Sequence, residues 1–324
     1  MRPEPPARPT YRVGPTLTPR PRARRRRVPW RILIVAGLLG TAIGVGSVWT
    51  NAFGAGDRFA GLLTRIDLLI DPPPNRSIPP TVDVTPRPTV TASPTARRSI
   101  PPGATPEPTP SPTPVPVRGP VDVRIMADPK ADFASEITKE WCAPAGVQMV
   151  LAMHDLADNS EGFQRELVSR VKEWESWQDS HNGDWGPNAM VQALDAYGAH
   201  GYQLQGYKTR AAALRGAATA LSETGSPVIL LAWRGAHTWV MTGYRADADP
   251  LVFADANVSG TYIFDPWYPR VSTIWGASDG PGVFQDAAEM VRNFLPWKRP
   301  EGRYPDRDGK FLIVAPTIPR EPGA

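Results

Sequence analysis

The chain has 324 residues, 41% of them hydrophobic, which is enough for a core in one or two domains, but its 39 prolines indicate that part of it is not globular. The net charge of +4 is unevenly distributed: residues 1–31 hold ten arginines and one glutamate, whereas residues 121–324 hold 19 basic and 26 acidic residues. The large C-terminal part is therefore acidic, which argues against nucleic-acid binding.

The N-terminal region predicts a disordered tail followed by a membrane span. Residues 1–31 are rich in arginine and proline and have almost nothing to bury, so we expect disorder. Residues 32–52 carry no charge and predict a transmembrane helix. Trp30 and Trp49 bracket its apolar core and lie about 28 Å apart at the rise of an α-helix, close to the hydrocarbon thickness of a bilayer. Because the arginines precede the span, we expect a cytoplasmic tail and an extracytoplasmic C-terminal part.

A cleaved secretory signal is the alternative interpretation of this apolar segment, because small residues follow it at Ala52, Gly54 and Ala55. The segment is longer than the apolar region of about 7 to 15 residues in a typical signal, and no clear cleavage motif follows. In both interpretations the C-terminal part leaves the cytoplasm.

Two further segments separate the span from the folded part of the chain. Residues 53–70 have apolar residues at helical spacing and predict a short amphipathic helix. Residues 71–120 are about one third proline, interleaved with threonine, serine and valine. Such a composition cannot pack a core and favours extended polyproline II, so we predict a disordered stalk with a fully extended length of about 150 Å.

Residues 121–318 are predicted to form one folded domain, with a short tail at 319–324. Apolar periodicity predicts helices at 143–156, 161–177, 187–197 and 209–223. It predicts strands at 121–126, 202–207, 227–233, 237–244, 251–253, 261–264 and 311–315. Helices followed by a mostly antiparallel sheet indicate an α+β domain with a helical lobe and a sheet lobe, and a site between them.

Cys142 is the only cysteine in the sequence and cannot form an intramolecular disulfide. It is therefore a small buried hydrophobe, an intermolecular cross-link or a reactive group. Pro144 and the apolar spacing after it predict that a helix begins at or just after Cys142. The unpaired N–H groups and the dipole of a helix start stabilise a thiolate, which favours the reactive group.

Two residues of the predicted sheet have the chemistry to complete a site around this thiol. His237 opens a strand after two small residues and is a candidate base. Asp265 closes a later strand and is a candidate orienting acid; the next residue, Pro266, ends the pairing of that strand. A nucleophile, a base and an orienting acid form a cysteine triad. The residues alone leave open whether the three meet, and Asp255, at the end of another apolar stretch, is an alternative to Asp265. His181 and His200 lack the spacing of a zinc site.

Three runs of this sequence resemble the C39-like cysteine peptidases, which have a papain-like fold. They are WCAPAGVQMVL from Trp141, HTWVMTGY from His237 and DPW from Asp265. The resemblance covers most of residues 121–318 and implies that Cys142 is the nucleophile, His237 the general base and Asp265 the orienting acid. It also implies hydrolysis of a peptide or related amide bond through a thioester, without a metal or an organic cofactor.

Two positions depart from the pattern of that family. Family members commonly have a glutamine six residues before the nucleophile, where it donates to the oxyanion, and this chain has Glu136, which cannot donate as a carboxylate. The residue after the nucleophile, often glycine, is Ala143. Loss of one oxyanion donor typically lowers turnover about 100- to 1,000-fold.

These observations predict a membrane-anchored, extracytoplasmic cysteine peptidase or amidase that acts on a peptide, with substrate and oligomeric state open. A cell-wall amidase or endopeptidase with the same triad is one alternative, because a long stalk and an outside location suit peptidoglycan stem peptides. A binding module that kept the cleft and lost its activity is the other. Glu136 supports this module, and the intact His237 and Asp265 argue against it.

Overall fold

The computed structural model describes residues 69–85, 116–126, 128–180, 185–272, 276–299 and 302–320, together with the single positions 41, 44, 62 and 66. The chain divides into two compact units, Met1–Phe59 and Ala60–Ala324. Positions 41 and 44 of the first unit are helical. All of the described strands belong to the second unit.

Several predictions from the sequence concern residues outside the described ranges. The predicted tail at 1–31, nearly all of the predicted span at 32–52 and most of the predicted helix at 53–70 lie outside the described residues. Where the structure describes the chain, no helix is both long and apolar enough to cross a membrane. The tail and the span therefore stay predictions.

Six α-helices are described in the second unit. They are α1 (Pro129–Asp132), α2 (Cys142–Met153), α3 (Glu161–Ser169), α4 (Pro187–Ala196), α5 (Arg210–Thr224) and α6 (Ala287–Asn293). The described strands are β1 (Val82–Asp83), β2 (Val121–Arg124), β3 (Tyr202–Tyr207), β4 (Val228–Ala232), β5 (His237–Ala246), β6 (Val258–Phe264), β7 (Val271–Ser272), β8 (Gly276–Ala277), β9 (Val283–Asp286) and β10 (Phe311–Pro316).

One eight-stranded sheet organises this unit, with seven strands in the order β1, β3, β10, β4, β5, β6, β9 and the eighth, β2, paired with β5 outside this order. All of its pairs are antiparallel except β1 with β3. The long strand β5 pairs with β4 along its first half, where His237 lies opposite Ala232, and with β2 along its second half. His237 therefore lies at one end of a central strand.

Helices cover both faces of this sheet. Ile229 and Leu231 of β4 belong to the core that α2 and α4 cover, whereas Val228 and Leu230 belong to the core that α5 covers. The mixed fold with a mostly antiparallel sheet is as expected, but α5 covers the second face of the sheet, which the expectation of one helical lobe beside one sheet lobe did not include. Because every residue of β4 is apolar and buried, this strand needs cover on both sides, which a single helical lobe cannot provide.

Local signals predicted most of the elements in this domain. Strand β3 occupies the predicted residues, and the side chain of Thr209 caps α5 by accepting from the backbone N–H of Ala212. The predicted strand at 251–253 was wrong, because these residues form a turn whose N–H groups bond to Asp249. The predicted helix at 161–177 ends at Ser169.

The structure differs from the predicted stalk at residues 71–85, which pack on the domain. Strand β1 adds to the edge of β3, and the Thr81 hydroxyl donates to Asp306 at 2.8 Å. The Trp177 N–H donates to the Pro74 carbonyl at 3.1 Å. Prolines disfavour a helix but are compatible with an edge strand. The strand that β1 joins, β3, lies more than 100 residues away in the sequence, so local composition does not reveal this pairing. Residues 86–115 of the predicted stalk lie outside the described residues.

Candidate active site

Cys142 is the first residue of α2, where the sequence predicted a helix to begin. Its side chain is buried, and all twelve residues of the helix are buried as well. Trp141 occupies the N-cap position, and within the described part of the chain no side chain caps this helix start. The thiol therefore lies where the helix dipole and the first N–H groups favour negative charge.

Gly146 sets how closely α2 approaches β5. A Cβ at this position would collide with Cγ2 of Thr238, the residue that follows His237. Since glycine has no side chain, the helix and the strand come into contact here, one helical turn after Cys142. This contact places the thiol of the helix beside the imidazole of the strand.

The three predicted site residues meet in the structure. His237 Nε2 lies 2.6 Å from Asp265 Oδ1, and both side chains are buried. Asp265 Oδ1 also accepts from the Trp267 N–H at 2.9 Å, which holds the carboxylate in place. One ring nitrogen of His237, Cys142 Sγ and a carboxylate oxygen of Glu136 lie within 4.8 Å of one another.

Asp255, the alternative acid, lies elsewhere. It is exposed and accepts two hydrogen bonds from Arg118 Nη1, at 3.0 and 3.1 Å. Asp265 is therefore the carboxylate that bonds to His237, a choice that the sequence left open.

His237 is surrounded by groups that stabilise its charged form. Burial favours the neutral imidazole, but Asp265 and Cys142 outweigh it and raise the pKa of His237 to about 10. The ring stacks on Trp233 with centroids 4.1 Å apart, and Trp267 packs against it edge-on. A protonated imidazole between a carboxylate and a sulfur favours a thiolate.

The turn before His237 has an unusual backbone. Trp233, Arg234 and Gly235 all have positive φ, at 51°, 63° and 84°. Left-handed backbone is uncommon for a tryptophan or an arginine and is often found at functional sites. A side chain at position 235 would overlap Trp297. Gly235 before His237 thus permits a tight turn.

Glu136 is a further ionisable group at the sulfur. Its side chain is fully buried, and its Oε1 accepts from Arg270 Nη1 at 3.0 Å. Its Oε2 is buried and has no hydrogen-bond partner among the described residues. Burial raises the pKa of Glu136 to about 7, although the charges of His237 and Arg270 favour the ionised form.

Glu136, Cys142 and His237 also have the donor types of a metal site. Arg270 binds the Glu136 carboxylate, and Asp265 binds Nε2 of His237. A cation at this position would lie beside the guanidinium charge. We therefore interpret the three residues as groups that hold and move protons.

A cleft of about 310 Å³, a volume that includes the solvent at its mouth, opens onto Cys142 and His237. Its walls include Trp185, Trp297 and Arg299. The indole N–H groups of both tryptophans are buried and have no partner in the part of the chain that the structure describes. The sequence gives no local signal for this wall, because the segments that form it are remote from one another along the chain.

A buried ion pair holds one wall of the cleft. Asp179 Oδ1 accepts from Arg307 Nη1 at 2.5 Å, and both side chains are 1% exposed. The Asp179 carboxylate also accepts from the N–H groups of Ser180 and Asn188, each at 2.8 Å. The Asp179 carboxylate therefore ties its own segment to Arg307 and to the start of α4.

Residues 123–282 match the model of the Peptidase_C39 like family. A comparison with curated proteins gives no match. Among solved structures, the chain is similar to a double glycine motif protease from an AMS/PCAT transporter, determined in complex with the leader peptide. That alignment has 17% identity and a TM-score of 0.31, and it covers 61% of this chain and 99% of the other. Residues 123–282 therefore form a C39-like peptidase domain.

Proposed function

We propose that this protein is a cysteine peptidase or amidase that hydrolyses peptide or related amide bonds through a thioester at Cys142. The observation that carries the proposal is that Cys142 and His237 lie together at the cleft and that Asp265 bonds to His237 at 2.6 Å. The match of residues 123–282 to the C39-like family supports a hydrolase of the cysteine peptidase kind.

The geometry supports a two-step mechanism. The Cys142 thiolate attacks the carbonyl carbon, a C–S bond forms, and the π electrons move to the oxygen. When the C–N bond breaks, protonated His237 gives its proton to the leaving amine. Neutral His237 then takes a proton from water as the water oxygen attacks the thioester, and the thiolate leaves. Asp265 holds Nε2 of the imidazole, so the other ring nitrogen exchanges protons at the sulfur.

We also propose that the peptidase domain lies outside the cytoplasm and that residues 32–52 anchor it in the membrane. Support comes from the charge-free apolar segment and from the arginines that precede it. A peptide is the proposed substrate. A stem peptide of peptidoglycan is the specific candidate that an extracytoplasmic location favours.

Iodoacetamide labelling of the full-length protein tests the reactive pair. Cys142 is the only cysteine, so the alkylated mass reports this site alone. We expect rapid alkylation at pH 6, because protonated His237 stabilises the thiolate. In His237→Ala the rate should instead follow an ordinary thiol, which ionises near a pH of about 8.5. His200→Ala, which removes an exposed histidine bound to Asp195, is the matched control.

The outcome decides between an enzyme and a binding module. Slow alkylation that is the same in wild type and in His237→Ala would contradict the hydrolase and leave a binding module with a buried thiol. After rapid alkylation, incubation with synthetic peptides and with purified peptidoglycan identifies the substrate. Release of muropeptides would indicate the cell-wall substrate.

A further inference from the structure

We infer that protonated Glu136 donates a hydrogen bond from Oε2 to the oxyanion that forms at Cys142, so that a neutral carboxylic acid performs the role of an amide donor. This inference rests on the proposed function and adds a catalytic residue to it. As a carboxylate, Glu136 would accept hydrogen bonds and could not stabilise an oxyanion.

The position of the carboxyl group fits such a donor. A carboxylate oxygen of Glu136 lies within 4.8 Å of Cys142 Sγ. An oxyanion belongs to the carbon that is bonded to this sulfur, and useful donors lie about 2.7 to 3.1 Å from the oxyanion. A Glu136 oxygen within 4.8 Å of the sulfur can therefore reach the position of the oxyanion.

The two oxygens of Glu136 have different surroundings. Oε1 is occupied by Arg270 Nη1 at 3.0 Å. Oε2 is buried and has no partner among the described residues, although a buried polar atom normally has one. If the proton is on Oε2, then Oε1 still accepts from Arg270, and the acid presents one O–H donor. The oxyanion supplies the partner that Oε2 lacks.

The backbone around Glu136 is held on both sides, so the donor is preorganised. The Glu136 N–H donates to the Pro266 carbonyl at 2.9 Å, next to Asp265. The Ile137 carbonyl accepts from Arg270 Nη2 at 2.9 Å, and its N–H donates to Gln164 Oε1 at 2.9 Å. A donor that is fixed before the reaction needs no reorganisation when the charge develops.

Gln148 is not available as a substitute donor. Its side-chain nitrogen donates to the carbonyls of Asp158 and Ser160, at 3.0 and 2.8 Å. Its Oε1 accepts from Gln164, the residue that supports Ile137. Gln148 therefore belongs to the scaffold behind the Glu136 segment.

The charges that act on Glu136 come from two elements, β5 and the turn after β6. His237 of β5 and Arg270 of the turn after β6 favour the carboxylate, whereas Asp265 favours the neutral acid. Burial is the largest effect, and it brings the pKa of Glu136 to about 7. Much of the enzyme therefore holds the proton near neutral pH. Above pH 7 a carboxylate forms, which repels the oxyanion, so acylation should slow.

Acetylation of Cys142 by p-nitrophenyl acetate tests this inference in the full-length protein. Attack on the ester forms an oxyanion but needs no proton for its leaving group, so the rate reports the oxyanion donor. In wild type we expect the rate to fall about tenfold per pH unit above pH 7, as a single ionisation requires. Glu136→Gln should lack this decline, and Glu136→Ala should be about 100-fold slower than wild type at pH 6.

Iodoacetamide labelling of the same variants separates the two proposals, because alkylation forms no oxyanion. If alkylation is rapid and depends on His237, the reactive pair is intact and each variant has a folded site. The inference is then overturned if Glu136→Ala acetylates as fast as wild type, or if wild type and Glu136→Gln share one pH profile. Slow alkylation in wild type would instead contradict the proposed function. Glu173→Gln, which removes an exposed carboxylate bound to Arg170, is the matched control.

Discussion

Gly146 of α2 lies so close to Thr238 of β5 that any side chain at position 146 would overlap the threonine methyl group. Cys142 lies one turn before the glycine, and His237 directly precedes the threonine. The distance between the thiol and the imidazole therefore depends on a residue that has no chemistry of its own.

The first prediction concerns this contact. We expect Gly146→Ala to lower the free energy of unfolding by about 1 to 3 kcal/mol, since it overpacks a buried interface. We also expect it to slow alkylation at pH 6, because α2 must move away from β5. Adding Thr238→Ser, which removes the overlapping methyl, should restore both properties in part. The control is Gly162→Ala in α3, where the nearest atom, Ser160 Oγ, lies 3.6 Å from the new Cβ. An equal effect of the two alanine variants would contradict the prediction.

The second prediction concerns Asp265. An asparagine keeps the size of the side chain but has no charge, so the imidazolium of His237 loses its main partner. We expect Asp265→Asn to slow alkylation at pH 6 at least about tenfold and to lower peptide turnover by about 10⁴-fold, the effect seen when a triad loses its acid. Asp255→Asn, which removes an exposed carboxylate bound to Arg118, should change neither rate. Equal rates in wild type and Asp265→Asn would remove Asp265 from the mechanism.

The third prediction is a pH dependence of stability. Folding raises the pKa of Glu136 from 4.5 to about 7. The native state therefore binds the extra proton between these values, and the resulting stability, about 3 kcal/mol at most, is present below pH 4.5 and lost as pH rises through 7. Glu136→Gln has no such proton to lose.

Urea unfolding of wild type and Glu136→Gln at pH 5 and pH 8 measures this effect. The free energy of unfolding should fall more between the two pH values in wild type than in the variant. Asp265 and Cys142 keep His237 protonated in the folded state between pH 5 and pH 8 in both proteins, so its contribution to the change largely cancels in this comparison. Parallel changes in the two proteins would show that Glu136 is ionised throughout this range.

The fourth prediction concerns the buried ion pair behind the cleft. Arg307→Ala leaves the Asp179 carboxylate buried without its cation, and we expect a loss of about 3 to 5 kcal/mol in the free energy of unfolding. Arg292→Ala, which breaks an exposed pair with Glu289, should lose about 1 kcal/mol or less. Denaturant unfolding of the two variants provides the measurement. A loss of less than 1 kcal/mol for Arg307→Ala would show that water replaces the lost cation.

Local signals in the sequence predicted much of this domain. The helix start at Cys142, strand β3 and the Thr209 cap depend on residues within a few positions of each other, and the structure confirms them. The predictions at 251–253 and 71–85 were wrong because the outcome there depends on partners. Residues 251–253 form a turn through hydrogen bonds to Asp249. Residues 82–83 pair with strand β3, which is remote in the sequence.

The amino-acid sequence specifies which chemical groups are present: one thiol, a histidine that opens a strand, and a glutamate six residues before the thiol. The folded arrangement is what makes Asp265 bond to His237 and Asp255 bond to Arg118, and it buries Glu136 beside the sulfur with one oxygen unpartnered among the described residues. The physical reason is that the protonation state and the hydrogen-bonding role of a side chain depend on desolvation and neighbouring charge. Both are set by segments that lie far apart in the sequence.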